Sequence, residues 1–172
     1  MIFVLLFAAF VIGILLLGAI MPSRYNVEKT IVINKAINEV MDKVGNLNFY
    51  AQWNPWQQMD AAATRKIIGA PKTTGHSYSW HGKKAGEGSL TITSVDDSHI
   101  YFDLEFLKPW KSHAKDNWSF ERSSANETKV TWHNSGDLPW PMARLMGPLI
   151  NKNLNHQFEK GLENLKRMVE GS

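Results

Sequence analysis

Ile100-Tyr101-Phe102-Asp103-Leu104-Glu105-Phe106-Leu107 sets large apolar side chains at every second position. Successive residues of a strand point to opposite faces, so Ile100, Phe102, Leu104 and Phe106 share one side of a strand and form an apolar face. Such a face has to be covered, and the rest of the chain shows what covers it.

The period of two recurs on both sides of this segment. Candidate strands are Arg65–Ile68, His76–His81, Gly88–Val95, Ile100–Leu107, Ser112–Glu121 and Lys129–Ser135. Between them stand turn signals such as Pro71 to Gly75, Gly82 to Gly86, Asp96-Asp97-Ser98 and Lys108-Pro109. Connections this short join antiparallel neighbours and leave no room for crossover helices. The inner face then collects Tyr78 and Trp80, Leu90 and Ile92, Ala114, Asp116, Trp118 and Phe120, and Val130, Trp132 and Asn134.

Upstream, the β-branched run in Tyr25–Asn34 reads as a first strand. A short helix follows over Ile37–Val44. A second short helical stretch spans Asn46–Gln58 and is interrupted at Asn54-Pro55, because proline disfavours helix at the residue before it. Downstream, Met142–Glu170 reads as a long helix, with Pro148 expected to kink or break its first part. Leu154, Phe158, Leu162, Leu165 and Val169 form an apolar stripe along it. The expected fold class is therefore α+β. A curved antiparallel sheet of about six or seven strands wraps around a long C-terminal helix, with two short helices after the first strand.

Ile2–Met21 carries no charged residue. Twenty helical residues span roughly 30 Å, the thickness of a bilayer hydrocarbon core. No basic residue precedes the run, no Ala-x-Ala signature closes it, and the chain contains no cysteine. These features favour an uncleaved single-pass anchor over a signal peptide. The expected division is residues 1–22 as anchor and 23–172 as one domain. Arg24, Lys29 and Lys35 flank the C-terminal side of the run, which favours a cytoplasmic domain. Ala9 and Gly13 form a small-xxx-small pair.

The net charge of +3 is mild and its cations are scattered, so the basic stripe of a nucleic-acid binder is missing. None of the six histidines stands four residues from another, and no metal site is expected; they read as exposed strand and turn residues. No nucleophile elbow or phosphate-binding loop is present, and no cofactor is implied.

Several segments in this order resemble the START-like, helix-grip proteins, or SRPBCC superfamily, which includes polyketide cyclase/dehydrase-type domains. They are Val27-Glu28-Lys29-Thr30-Ile31-Val32-Ile33-Asn34, Trp53-Asn54-Pro55-Trp56, Tyr78-Ser79-Trp80-His81-Gly82, Gly86-Glu87-Gly88-Ser89-Leu90-Thr91-Ile92, and Phe158-Glu159-Lys160-Gly161-Leu162-Glu163-Asn164-Leu165-Lys166. The resemblance covers residues 25–169, and a bacterial subgroup is similar in carrying an N-terminal anchor. It implies a helix-grip fold with a deep apolar pocket, in proteins that bind lipids or other hydrophobic molecules, cyclise polyketides, or act as chaperone-associated modules.

The candidate cavity residues are Tyr78, Trp80, Glu87, Phe102, Leu104, Asp116, Trp118, Trp132, Asn134 and Phe158. Asp116 is the sharpest of them, since a buried carboxylate can orient a hydroxyl or exchange a proton. A one-residue slip would turn it to solvent, and sequence alone slightly prefers that reading. Glu87, between two glycines, is expected mainly as a turn carboxylate or a structural hydrogen-bond partner. The seven tryptophans divide between core and pocket lining, while Trp110 and Trp140, beside prolines in loops, suit a bilayer interface. Three functions remain open at this point. The leading one is membrane-tethered binding of a lipid or other hydrophobic small molecule. The second is a cyclase- or dehydratase-like enzyme using Asp116, Tyr78 or Glu87. The third is a membrane-bound protein-interaction module whose partner the sequence does not identify.

Overall fold

A computed structural model describes residues 1–109 and 111–171; the expectation for Trp110 lies outside the described residues. The chain opens with helix α1 (Ile2–Ile20), followed by strand β1 (Arg24–Ile33) and three short helices, α2 (Ile37–Gly45), α3 (Tyr50–Trp53) and α4 (Pro55–Gln58). Six strands follow: β2 (Thr64–Ile68), β3 (Ser77–Gly82), β4 (Gly86–Val95), β5 (His99–Lys108), β6 (Ser112–Ser124) and β7 (Glu127–Asp137). The chain closes with α5 (Met142–Leu145) and α6 (Gly147–Glu170). All seven strands form one antiparallel sheet in the order β1-β7-β6-β5-β4-β3-β2. This is the helix-grip arrangement, α+β in class.

The helices stop and start where their residues require it. Asn54 ends α3 and caps α4, its Oδ1 accepting from the backbone N–H of Trp56 (3.1 Å) and Gln57 (3.3 Å). Pro55 occupies the first turn of α4, where no N–H is needed. The long C-terminal helix is broken at Met146, and Pro148 sits in the first turn of α6.

One face of α6 lies across β1, β7 and the short helices. Lys29 pairs with Glu159 at 2.6 Å, Lys166 Nζ donates to the Val32 carbonyl at 2.8 Å, and Asn34 N–H donates to Glu170 at 2.7 Å. Asn164 Nδ2 donates to the Trp53 carbonyl at 3.0 Å. The buried residues of α6 lie mainly in its second half: Phe158, Gly161, Leu162, Leu165 and Val169. Gly161 is required there, because a Cβ would stand 2.8 Å from the Trp132 ring. Ahead of Phe158, Gly147 is the one buried position of the helix, and the apolar side chains that line the cavity from this half, Ile150 and Leu154, are only partly buried. One helix thus seals the core along half its length and roofs open space along the other half.

Two expectations are corrected. β6 pairs with β5 without a register shift from His99↔Ser119 to Phe106↔Ser112, and its own bulge falls only at Arg122/Ser124. Asp116 therefore does not slip outward; it is buried beside Trp118. His76 is not an exposed turn residue. It is fully buried, with Nε2 accepting from Leu47 N–H (3.0 Å) and Nδ1 facing the carbonyls of Ile68 (2.9 Å) and Gly69 (3.1 Å). This imidazole joins the loop after α2 to the end of β2. His76→Ala orphans a buried N–H, which costs about 2 kcal/mol. With a urea slope of about 2 kcal/mol/M, the unfolding midpoint of the full chain in mild detergent is expected to fall by about 1 M. An unchanged midpoint would show that the ring is not what holds these segments together.

Candidate functional site

Beneath the first half of α6, the sheet and helices enclose a cavity of about 950 Å³. Its walls are largely aromatic and aliphatic: Trp80 from β3, Leu104 and Phe106 from β5, Trp132 from β7, and Leu154 and Phe158 from α6. Tyr25, Tyr50 and Trp56 close the side nearest β1 and the short helices. At the other end the lining runs through Pro139, Trp140, Met142 and Met146. A volume of this size, with so few polar groups, suits a large apolar ligand.

A buried polar cluster interrupts the apolar wall, which the buried Gln57 also lines. The Asp116 carboxylate accepts from Trp118 Nε1 (2.9 Å), from Trp132 Nε1 (2.9 Å to each oxygen) and from Asn134 Nδ2 (2.8 Å). Asn134 Oδ1 in turn accepts from the Tyr25 hydroxyl at 2.8 Å. The cluster follows from register: Asp116 is paired across the ladder with Asn134, and Trp118 with Trp132. Burial pushes the Asp116 carboxyl up to about 6, against the three N–H donors that favour its charged form. Burial, with the Asp116 and Asp137 charges beside it, pushes the Tyr25 hydroxyl up to about 12, so it stays a donor. Three N–H groups occupy most of the carboxylate's acceptor capacity, which makes Asp116 a structural acceptor at the cavity wall more than a free base.

The tryptophans behind this cluster stack. Trp132 lies 4.0 Å from the Phe158 ring and 4.6 Å from Trp118, both near-parallel, with Trp53 edge-on to the two indoles at 5.5 and 5.7 Å. Trp80 Nε1 donates to the Ala85 carbonyl at 3.0 Å, whereas Trp53 Nε1 is buried without a hydrogen-bond partner.

The ten candidate residues separate into three groups. Trp80, Leu104, Asp116, Trp132, Asn134 and Phe158 line the cavity. Tyr78, Phe102 and Trp118 are buried in the packed core, where the Tyr78 hydroxyl donates to Gln57 Oε1 at 2.9 Å. Burial pushes that hydroxyl up to about 12. Glu87 stands apart from the cavity, paired with Lys108 (2.8 Å) and His81 (3.1 Å). Those two hydrogen bonds, the Lys108 one foremost, hold its carboxyl below its ordinary value. Tyr25, Tyr50, Trp56, Trp140 and Met146 were absent from the candidates. Tyr25 shares strand parity with the buried Val27 and was open to the same reading as Asp116. Among the described residues, no three His, Asp or Glu side chains gather as a metal site.

Comparison with known proteins agrees with this geometry. No curated protein matches the sequence. Among solved structures, the Zhui aromatase/cyclase from Streptomyces sp. R1128 superposes with a TM-score of 0.63 at 16% identity, covering 86% of this chain and 94% of that one. Protein MLL2253 from Mesorhizobium loti gives 0.64 at 9% identity, with 86% and 98% covered. Protein CV1439 from Chromobacterium violaceum gives 0.60 at 13% identity, with 87% and 99% covered. At such identities the likeness is one of fold. The family model for polyketide cyclase/dehydrase and lipid transport proteins matches residues 24–170, which leaves only the apolar N-terminal segment and the last two residues outside it. The chain belongs to the polyketide cyclase/dehydrase and lipid transport family, within the SRPBCC helix-grip superfamily.

Proposed function

We propose that this protein is a membrane-tethered binding module that holds a lipid or other hydrophobic small molecule beneath α6. The cavity of about 950 Å³ carries this reading, with its aromatic walls and the buried cluster around Asp116. An interior of that size lined by Trp80, Phe106, Trp132 and Phe158 gains from an apolar occupant, because burial of apolar surface is worth roughly 25 cal/mol per Å². The Asp116–Asn134–Tyr25 chain would orient one polar group of that occupant.

The tether is α1, which is long and apolar enough to cross a membrane and, apart from Gly18, has no buried residue. The cations at Arg24, Lys29 and Lys35 support a cytoplasmic domain over residues 23–172. Tethering keeps the cavity at high local concentration beside molecules that reside in the bilayer.

A cyclase- or dehydratase-like reaction through Asp116, Tyr78 and Glu87 would need at least two of them to meet at one point of the cavity. Tyr78 is spent on Gln57 and Glu87 on Lys108, and neither lines the cavity. The binding reading is therefore preferred. Native mass spectrometry of the full chain from gentle detergent, with lipid extraction of the same sample, tests it. A stoichiometric hydrophobic adduct is expected. A protein that stays empty, and that takes up no added fatty acid or sterol, would refute it.

A further inference from the structure

We infer that the rim formed by residues 139–150 is seated in the bilayer interface, so that the cavity opens onto lipid and not onto water; this rests on the tether reading above. Four large apolar side chains stand exposed within that short segment: Trp140 (51% exposed), Met142 (61%), Met146 (46%) and Leu149 (63%). Among the other described residues of the domain, the exposed large apolar side chains are dispersed, at Val32, Met59 and Ile68. The four at the rim are arranged as one surface. Backbone bonds from Leu145 N–H to the Pro141 carbonyl, Met146 to Met142 and Ile150 to Met146 carry helical spacing across the α5–α6 break. Met142, Met146 and Leu149 therefore follow an i, i+4, i+7 stripe.

Two further observations name the occupant of this surface. Trp140, Met142 and Met146 also line the cavity, so three of the four patch residues stand at the cavity mouth, with Leu149 one helical turn beyond it. The patch also sits against the end of the tether. Gly18, the one buried residue of α1, faces Pro141, and a Cβ added to it would lie 3.1 Å from Pro141 Cβ. Because α1 leaves the hydrocarbon near its C-terminal end, side chains packed on its last turn lie at headgroup depth. Trp140 is the residue type that favours that depth, and Arg144 and Lys152 in the same stretch suit anionic headgroups. A ligand would then pass laterally between leaflet and cavity without its apolar body entering water.

The chain has no cysteine, so a single introduced thiol can be labelled cleanly. Four variants of the full chain, Phe10→Cys, Met142→Cys, Leu149→Cys and Asp97→Cys, are labelled with an environment-sensitive fluorophore. They are reconstituted in phosphatidylcholine/phosphatidylglycerol vesicles that contain spin-labelled lipid. Asp97 lies in the β4–β5 turn, at the opposite end of β5 from the rim. The labels at Met142 and Leu149 are expected to be quenched at least threefold more than the label at Asp97, by shallow spin labels. Phe10 is expected to be quenched by deep ones. If Phe10 is quenched and Met142 and Leu149 behave like Asp97, the tether stands and the seated rim is wrong. If the rim labels are shielded equally in detergent and in vesicles, without lipid quenching, a second protein surface covers the patch and the inference is again wrong. If Phe10 itself escapes quenching, the tether reading has failed and takes this inference with it.

Discussion

Asp116→Ala is expected to lower the melting temperature of the domain by about 6–12 °C. The substitution leaves the indole N–H of Trp118, that of Trp132 and the amide of Asn134 without their acceptor in a buried wall. Each orphaned buried donor costs about 1–3 kcal/mol. Removing the desolvated charge returns part of this, so a net loss of about 3 kcal/mol follows, and at this chain length each kcal/mol is worth about 2–4 °C. Near-UV circular dichroism of the full chain in mild detergent would follow it, because the affected indoles are the chromophores. A shift under 2 °C would mean that the three donors find other partners.

The same carboxylate makes stability depend on pH. Its folded-state value lies near 6, above the ordinary 3.8. Between these values the folded chain binds more protons than the unfolded chain, so this group's contribution to stability falls as pH rises from about 4 to about 6. The penalty is fully present above pH 6 and absent below pH 4, and two pKa units correspond to roughly 3 kcal/mol. Glu87, Glu159 and Asp96 are shifted downward, so what they contribute is lost only at lower pH, below the ordinary carboxylate range. Asp116→Asn removes the dependence between pH 4 and 6 and leaves the acid limb. A wild-type profile flat over that window would contradict the burial argument.

Phe158→Ala is expected to cost more, about 3–5 kcal/mol, the usual range for deleting a buried aromatic ring. Phe158 is 2% exposed, stacks on Trp132 at 4.0 Å and meets Trp56 edge-on at 5.7 Å. Its loss removes the contact on which α6 turns from sealing the core to roofing the cavity, and the void joins the cavity already there. Urea unfolding should show the full drop, while Phe158→Leu should recover more than half of it by refilling volume. Equal losses in both variants would shift the weight from packing to the aromatic stack itself.

These effects separate what the sequence discloses from what it hides. The alternation of Ile100 to Phe106 and the stripe from Leu154 to Val169 are local periodicities, so sheet, helix and their mutual burial could be read directly. Asp116 sat on the right face by parity, yet parity alone could not exclude a slip. Its partners Trp118 and Trp132 became visible as a clamp only through the cross-strand register. His76 was misread because burial of a lone polar residue depends on what three distant segments present to it, here Leu47, Ile68 and Gly69. Of the rim, only Trp140 could be singled out from its place beside proline; that Trp140 and Met146 form one mouth shows only once α6 is laid across the sheet.

The division of α6 has a consequence for motion. Amides around Leu162 and Leu165, ahead of the fraying last turn, are held by the buried core and are expected to exchange with solvent mainly through global unfolding. Those near Leu149 and Lys152 rest on a hollow and have few contacts to break, so they open at much smaller free energy. The roof can therefore lift many times within the lifetime of one folded molecule while the grip below it never lets go.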